Sequence, residues 1–184
     1  SQSCQTCQIC QKDLWHVRFI WHLWHIWLFG MFRIRILLDN IRFEHTIFAL
    51  PFAYLGMVLA ARGLPTLQQF VWITIAMASA RTLAMSLNRL IDRELDARNP
   101  RTMNRPLPRG AISPGAVAMI SLFAFVVFEF AAWQLNWLCF VLSPLALIFL
   151  VGYHYAKRFT WLTHWILGLT DGIAAAGGWV AVRA

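Results

Sequence analysis

Charge is what this sequence has least of. Only 13% of its 184 residues are charged, about half the share of an ordinary soluble domain, which excludes a soluble globular protein. Acids are the scarcer half: 8 Asp and Glu stand against 16 Lys and Arg, for a formal net charge of +8. On a chain that is 59% hydrophobic, that imbalance points to anionic partners, phospholipid headgroups or phosphates. Nucleic acid, the usual partner of a basic chain, is excluded because the arginines separate apolar stretches long enough to cross a bilayer. Cysteine is too rare for a disulfide framework, with 4 in all. Cys4, Cys7 and Cys10 form a CxxCxxC run, but Leu14 stands where a fourth iron–sulfur ligand belongs. His16 is the nearest extra zinc ligand, and the run reads as a tail rather than a metal site. No small-residue cleavage site follows the first apolar stretch, so no cleavable signal peptide is evident.

What is present is a series of apolar stretches. Residues 1–30 stand apart, with Trp15, Trp21, Trp24 and Trp27 interleaved with His16, His22 and His25. They read either as an interfacial helix or as an addition ahead of a natural start at Met31, with Phe32-Arg33-Ile34-Arg35 behind it. The second reading is preferred, which sets the membrane domain at residues 31–184. Five spans of about twenty residues follow, near 41–61, 67–92, 115–135, 137–153 and 161–182. The expected fold is therefore an all-α, polytopic transmembrane helix bundle. Basic residues gather on one side, at Arg33, Arg35 and Arg42, in the loop from residue 93 to 109, and at Lys157 and Arg158. The positive-inside rule puts these connections in the cytoplasm.

The chemistry centres on the end of the second span. On a helix Asn88, Asp92 and Asp96 fall at i, i+4 and i+8, a rise of about 6 Å per step with a drift of about 40°. One stripe thus carries an amide and two carboxylates, which cannot face lipid and suit a hard divalent cation such as Mg²⁺. Arg81 lies two turns earlier on the same face; the bland alternative for it is an intramembrane salt bridge with an acid elsewhere. Beyond the stripe, Arg98, Arg101, Arg105 and Arg109 alternate with Pro100, Pro106, Pro108 and Gly110 in a shaped loop. Carboxylate-held Mg²⁺ beside arginines suits a polyphosphate. In a membrane cavity that polyphosphate is a lipid diphosphate, whose C–O bond can ionise to an allylic cation. A transporter or channel subunit using Arg81 and the acids as an ion relay is the alternative of another class. It has no evident need for a rigid basic loop.

Asn88-x3-Asp92-x3-Asp96 with the run from Asn99 to Gly110 resembles the first aspartate motif and following loop of the UbiA family of intramembrane aromatic prenyltransferases. Residues 41–52 and 153–160 extend the resemblance to roughly residues 35–184, and the 4-hydroxybenzoate polyprenyltransferase branch is the most similar. The resemblance implies a fold of nine transmembrane helices around a cavity, in which two aspartate motifs bind a prenyl diphosphate through Mg²⁺. It implies Asn88, Asp92 and Asp96 as metal and diphosphate ligands, with Arg93, Arg101 and Arg105 around the diphosphate. Lys157 and Arg158 match the basic pair of the next cytoplasmic loop, topology anchors being their bland alternative. Arg42 is a candidate for the aromatic acid's carboxylate or for a headgroup contact. The implied activity is transfer of a polyprenyl group to 4-hydroxybenzoate in ubiquinone biosynthesis, in a bacterial inner membrane. Naphthoate, homogentisate, haem or a lipid phosphate are the alternative acceptors. A second aspartate motif is missing: after Glu129 the sequence has only Asp171, expected to make a polar contact between helices. The chain therefore reads as an N-terminal fragment, holding half a site and expected to be inactive alone.

Overall fold

A computed structural model describes Ile36 and residues 43–183, apart from the side chains of residues 43–46 and 48. The expectations for Cys4, Cys7, Cys10, His16 and Arg42 fall outside the described side chains. Among the described residues, six helices lie in the unit spanning residues 39–184: α1 Phe43–Ala61, α2 Leu67–Ile91, α3 Arg93–Arg98, α4 Pro114–Leu135, α5 Trp137–Phe159 and α6 Thr163–Arg183. No strand occurs among the described residues, so the all-α reading stands. α2, α4, α5 and α6 have 25, 22, 23 and 21 residues and are apolar enough to cross a membrane. At ~1.5 Å per residue each exceeds about 30 Å, the thickness of a bilayer's hydrocarbon core. α1 is shorter in its apolar part, Ala49–Ala61.

Local chemistry sets the helix ends. Thr66 and Gln69 form a reciprocal capping box at the start of α2, with bonds of 3.3 and 3.1 Å, satisfying donors that no intrahelical carbonyl reaches. Ser113 caps α4 ahead of Pro114, whose missing N–H is harmless in a first turn. Asn136, between the spans expected at 115–135 and 137–153, does double duty. Its Oδ1 accepts from the Cys139 amide at 2.7 Å, and its Nδ2 donates to the Val180 carbonyl on α6 at 2.9 Å. One boundary departs from expectation. The fourth span was expected to stop near Tyr153, with residues 154–160 as a loop, yet α5 runs on to Phe159. Lys157 and Arg158 occupy its last turn, where positive charge suits the carbonyl end of the helix dipole.

Packing runs in two pairs, α2 along α4 and α1 along α6. The second pair is close because it is built on glycine. A Cβ at Gly56 would overlap the Ala175 carbonyl, and one at Gly178 would overlap the Ala53 carbonyl. Helices in lipid gain contact this way, since apolar bulk alone does not drive them together. The core is small, around Ala53, Met57, Ile73 and Ala181. Large apolar side chains instead point outward, including Phe52, Leu55, Phe123, Phe130 and Ile148, as expected where the solvent is hydrocarbon. Hydroxyls within the spans bond their own helix: Ser79 to Ile75, Thr82 to Ala78, Ser121 to Val117 and Thr170 to Ile166.

Candidate active site

The acidic stripe does not sit on one unbroken helix. α2 ends at Ile91, Asp92 takes φ −91° and ψ 6°, and the short α3 begins at Arg93. The i to i−4 rhythm nevertheless continues across the break. The Asp92 amide donates to the Asn88 carbonyl at 3.0 Å and the Asp96 amide to the Asp92 carbonyl at 2.8 Å. Both carboxylates are buried, Asp92 at 9% and Asp96 at 8% exposure, which demands partners of opposite charge.

The partners differ. Lys157 Nζ donates to Asn88 Oδ1 at 2.7 Å and to Asp92 Oδ2. Arg158 Nη2 donates to Asp92 Oδ1 at 3.0 Å and to the Ile91 carbonyl at 2.7 Å. Extending α5 by two turns beyond its expected end is what lets these cations reach α2. Asp96 is held from within its own loop. Arg105 Nη1 donates to its two oxygens at 2.7 and 2.6 Å, and the Thr102 hydroxyl donates to its backbone carbonyl at 2.9 Å. Arg89, buried on α2, comes within 3.8 Å of the same carboxylate. Arg93 and Arg101 are exposed, as are Arg98 and Arg109.

Burial raises the pKa of Asp92, which lies one residue past the span. Hydrogen bonds and charge from Lys157 and Arg158 outweigh that effect, and the carboxyl is held below its usual range.

Arg81 does not join this cluster. Its Nη1 lies 3.9 Å from Asp171 Oδ1, so α2 and α6 are linked by a loose ion pair. The expected polar contact for Asp171 is thus made with Arg81, the pairing set out as the alternative to a diphosphate role for Arg81. Both residues line a cavity of about 700 Å³, together with Asn88, Tyr153 and His154 and many Ala, Leu and Met side chains. Asn88 belongs to the cavity wall and to the ionic cluster at once.

The metal reading can be tested on the donors. Asn88, Asp92 and Asp96 offer only oxygen, the donor type that Mg²⁺ takes, so they fit in kind one side of a cation site. No group of three or more His, Cys, Asp and Glu that could hold a metal ion gathers among the described residues, and both carboxylates are bonded to the chain's own cations. Sequence reading missed His154, Arg89 and Thr102. Only Arg89 left a signal, a basic residue inside the motif and seven positions before Asp96.

The fold and the site define a multi-pass membrane protein with an acidic and basic cluster joined to an apolar chamber. The chain belongs to the UbiA prenyltransferase family, which it matches over residues 49–184. It is 37% identical over 142 residues to protoheme IX farnesyltransferase of Methylococcus capsulatus, covering 71% of this chain and 45% of that protein. It is 35% identical over 116 residues to 4-hydroxybenzoate octaprenyltransferase of Aliivibrio fischeri, covering 62% and 40% respectively. Among solved structures, the apo UbiA homolog from Aeropyrum pernix K1 superposes with a TM-score of 0.71 at 37% identity, over 76% of this chain and 50% of that one. The chain spans less than half the length of the curated relatives above.

Proposed function

We propose that this chain supplies one side of the active site of a Mg²⁺-dependent prenyltransferase. In this reading it transfers a polyprenyl group from its diphosphate to an aromatic acid of the 4-hydroxybenzoate kind, as in quinone biosynthesis. The observation that carries the reading is the double membership of Asn88. A diphosphate at the cluster of Asn88, Asp92, Lys157 and Arg158 would leave its prenyl tail in the adjoining apolar chamber.

Asn88, Asp92 and Asp96 would hold Mg²⁺, which when bound neutralises charge on the departing diphosphate. Lys157 and Arg158 stabilise the same leaving group from α5, and Arg105, with the exposed Arg93 and Arg101, lies on the loop side. The C–O bond breaks with its electron pair going to the diphosphate. The allylic carbon then bonds to a ring carbon of the acceptor, which loses its proton. Arg81 and Asp171 line the chamber that receives tail and acceptor. In this reading the cluster faces the cytoplasm, which the gathering of basic residues on one side of the spans supports.

A second reading keeps the ionisation of the prenyl diphosphate and changes the acceptor to haem, favoured by the 37% identity to the protoheme IX enzyme. The test is prenyl transfer in membranes, with the protein in a form that carries a second acidic motif. Labelled prenyl diphosphate should yield prenylated 4-hydroxybenzoate only with Mg²⁺, and Asp92→Ala should abolish it. Product from haem alone would select the second reading, and full activity of Asp92→Ala would overturn both.

A further inference from the structure

His154 is a buried polar side chain that the transferase reading leaves unused. It sits on α5, one turn before Lys157, at 4% exposure, and it lines the same cavity as Asn88 and Arg81. Neither ring nitrogen has a hydrogen-bond partner among the described residues. The Ala84 backbone on α2 lies beside the imidazole and interacts with it. The Tyr153 ring meets the imidazole edge-on, with centroids 5.5 Å apart, and offers it no polar group there. Several other polar groups of the wall are engaged: Arg81 Nη1 with Asp171, Asn88 with Lys157, and Ser143 with Glu129 at 2.7 Å, while Arg81 Nε has no hydrogen bond among the described residues.

An unpartnered buried imidazole is costly, and buried polar groups are otherwise bonded almost without exception. In a helix facing lipid and cavity, an apolar residue would be the stable choice. A neutral imidazole carries one donor and one acceptor nitrogen. Its natural complement is a hydroxyl, which also donates and accepts, whereas a carboxylate calls for a full positive charge.

We infer that His154 is a specificity-determining residue that hydrogen-bonds the hydroxyl of a phenolic acceptor in the cavity. The bond requires the ring to turn about Cβ–Cγ so that one of its buried nitrogens meets the cavity. The assignment rests on the transferase reading for its ligand class. Selectivity follows from the cost of the empty state. An acceptor lacking the hydroxyl leaves the imidazole unpaired, and sites of this type reject such analogues strongly.

The experiment compares 4-hydroxybenzoate with benzoate as ligands of the purified full chain in lipid nanodiscs, by isothermal titration. Imidazole ¹⁵N shifts are recorded alongside. The wild type should bind 4-hydroxybenzoate about tenfold or more tightly than benzoate, and only the phenol should move the His154 resonances. His154→Phe should lose the discrimination while melting no lower than the wild type, because an apolar ring replaces an unpaired polar one. His154→Gln, which keeps a donor and an acceptor, should recover part of it. Equal affinities in the wild type, or discrimination that survives in His154→Phe, would overturn the assignment. Inorganic pyrophosphate is titrated separately with Mg²⁺. Its failure to bind would count against the transferase reading and not against a phenol site at His154.

Discussion

Two carboxylates four residues apart are neutralised in opposite ways. Asp92 takes its cations from α5, with Lys157 and Arg158 lying 65 and 66 residues along the chain. Asp96 takes Arg105 from its own loop, only 9 residues away. The first arrangement is tertiary and exists only when α2 and α5 are docked. The second is local and shapes the loop from residue 99 to 113 irrespective of α5. The motif's equal spacing therefore conceals a division of labour. Asp92 ties helices together, and Asp96 ties a loop to its helix.

The largest effect is expected from Asp92→Ala. It leaves Lys157 with Asn88 and Arg158 with the Ile91 carbonyl and removes the ionic part of the link between α2 and α5, at a cost of about 2 kcal/mol, discounted because both cations are about one-third exposed. Equilibrium unfolding in detergent should show the loss. Lys157→Met should follow at about 1–2 kcal/mol, because Asn88 loses a donor and Asp92 keeps only Arg158; the same assay reads it. Asp96→Asn should cost about 1 kcal/mol or less in global stability. Its signature is local, with faster proteolysis and hydrogen exchange between residues 99 and 113 and little change in α5. If Asp96→Asn loosens α5 as much as Asp92→Ala does, the division between tertiary and local pairing is wrong.

The smallest effect is in acid. The folded pKa of Asp92 lies below its unfolded value of about 3.9. Its stabilisation is therefore complete above that value and is lost as pH falls through the folded one. A stability profile below about pH 4 should slope less steeply in Asp92→Asn than in the wild type.

Much of the fold was legible because membrane spans announce themselves by length and composition. The family motif was legible because Asn88, Asp92 and Asp96 repeat at four, a period that backbone geometry alone turns into proximity. What spacing cannot show is a partner on another element. Nothing in the sequence pairs Arg81 with Asp171, ninety positions later, or says that Lys157 reaches Asn88. The break at Asp92 carries no Gly or Pro to mark it, and α5 continues through Lys157 and Arg158 where hydropathy alone stops at Tyr153. His154, set between two tyrosines near a helix end, reads as interfacial until the cavity is seen.

In the proposed function the Asp92 cluster is the diphosphate end of the chamber. Titration of the purified chain with inorganic pyrophosphate, with and without Mg²⁺, tests it most directly. Binding should require Mg²⁺, disappear in Asp92→Ala and weaken in Lys157→Met. Binding that is independent of Mg²⁺ and unchanged in both variants would contradict it.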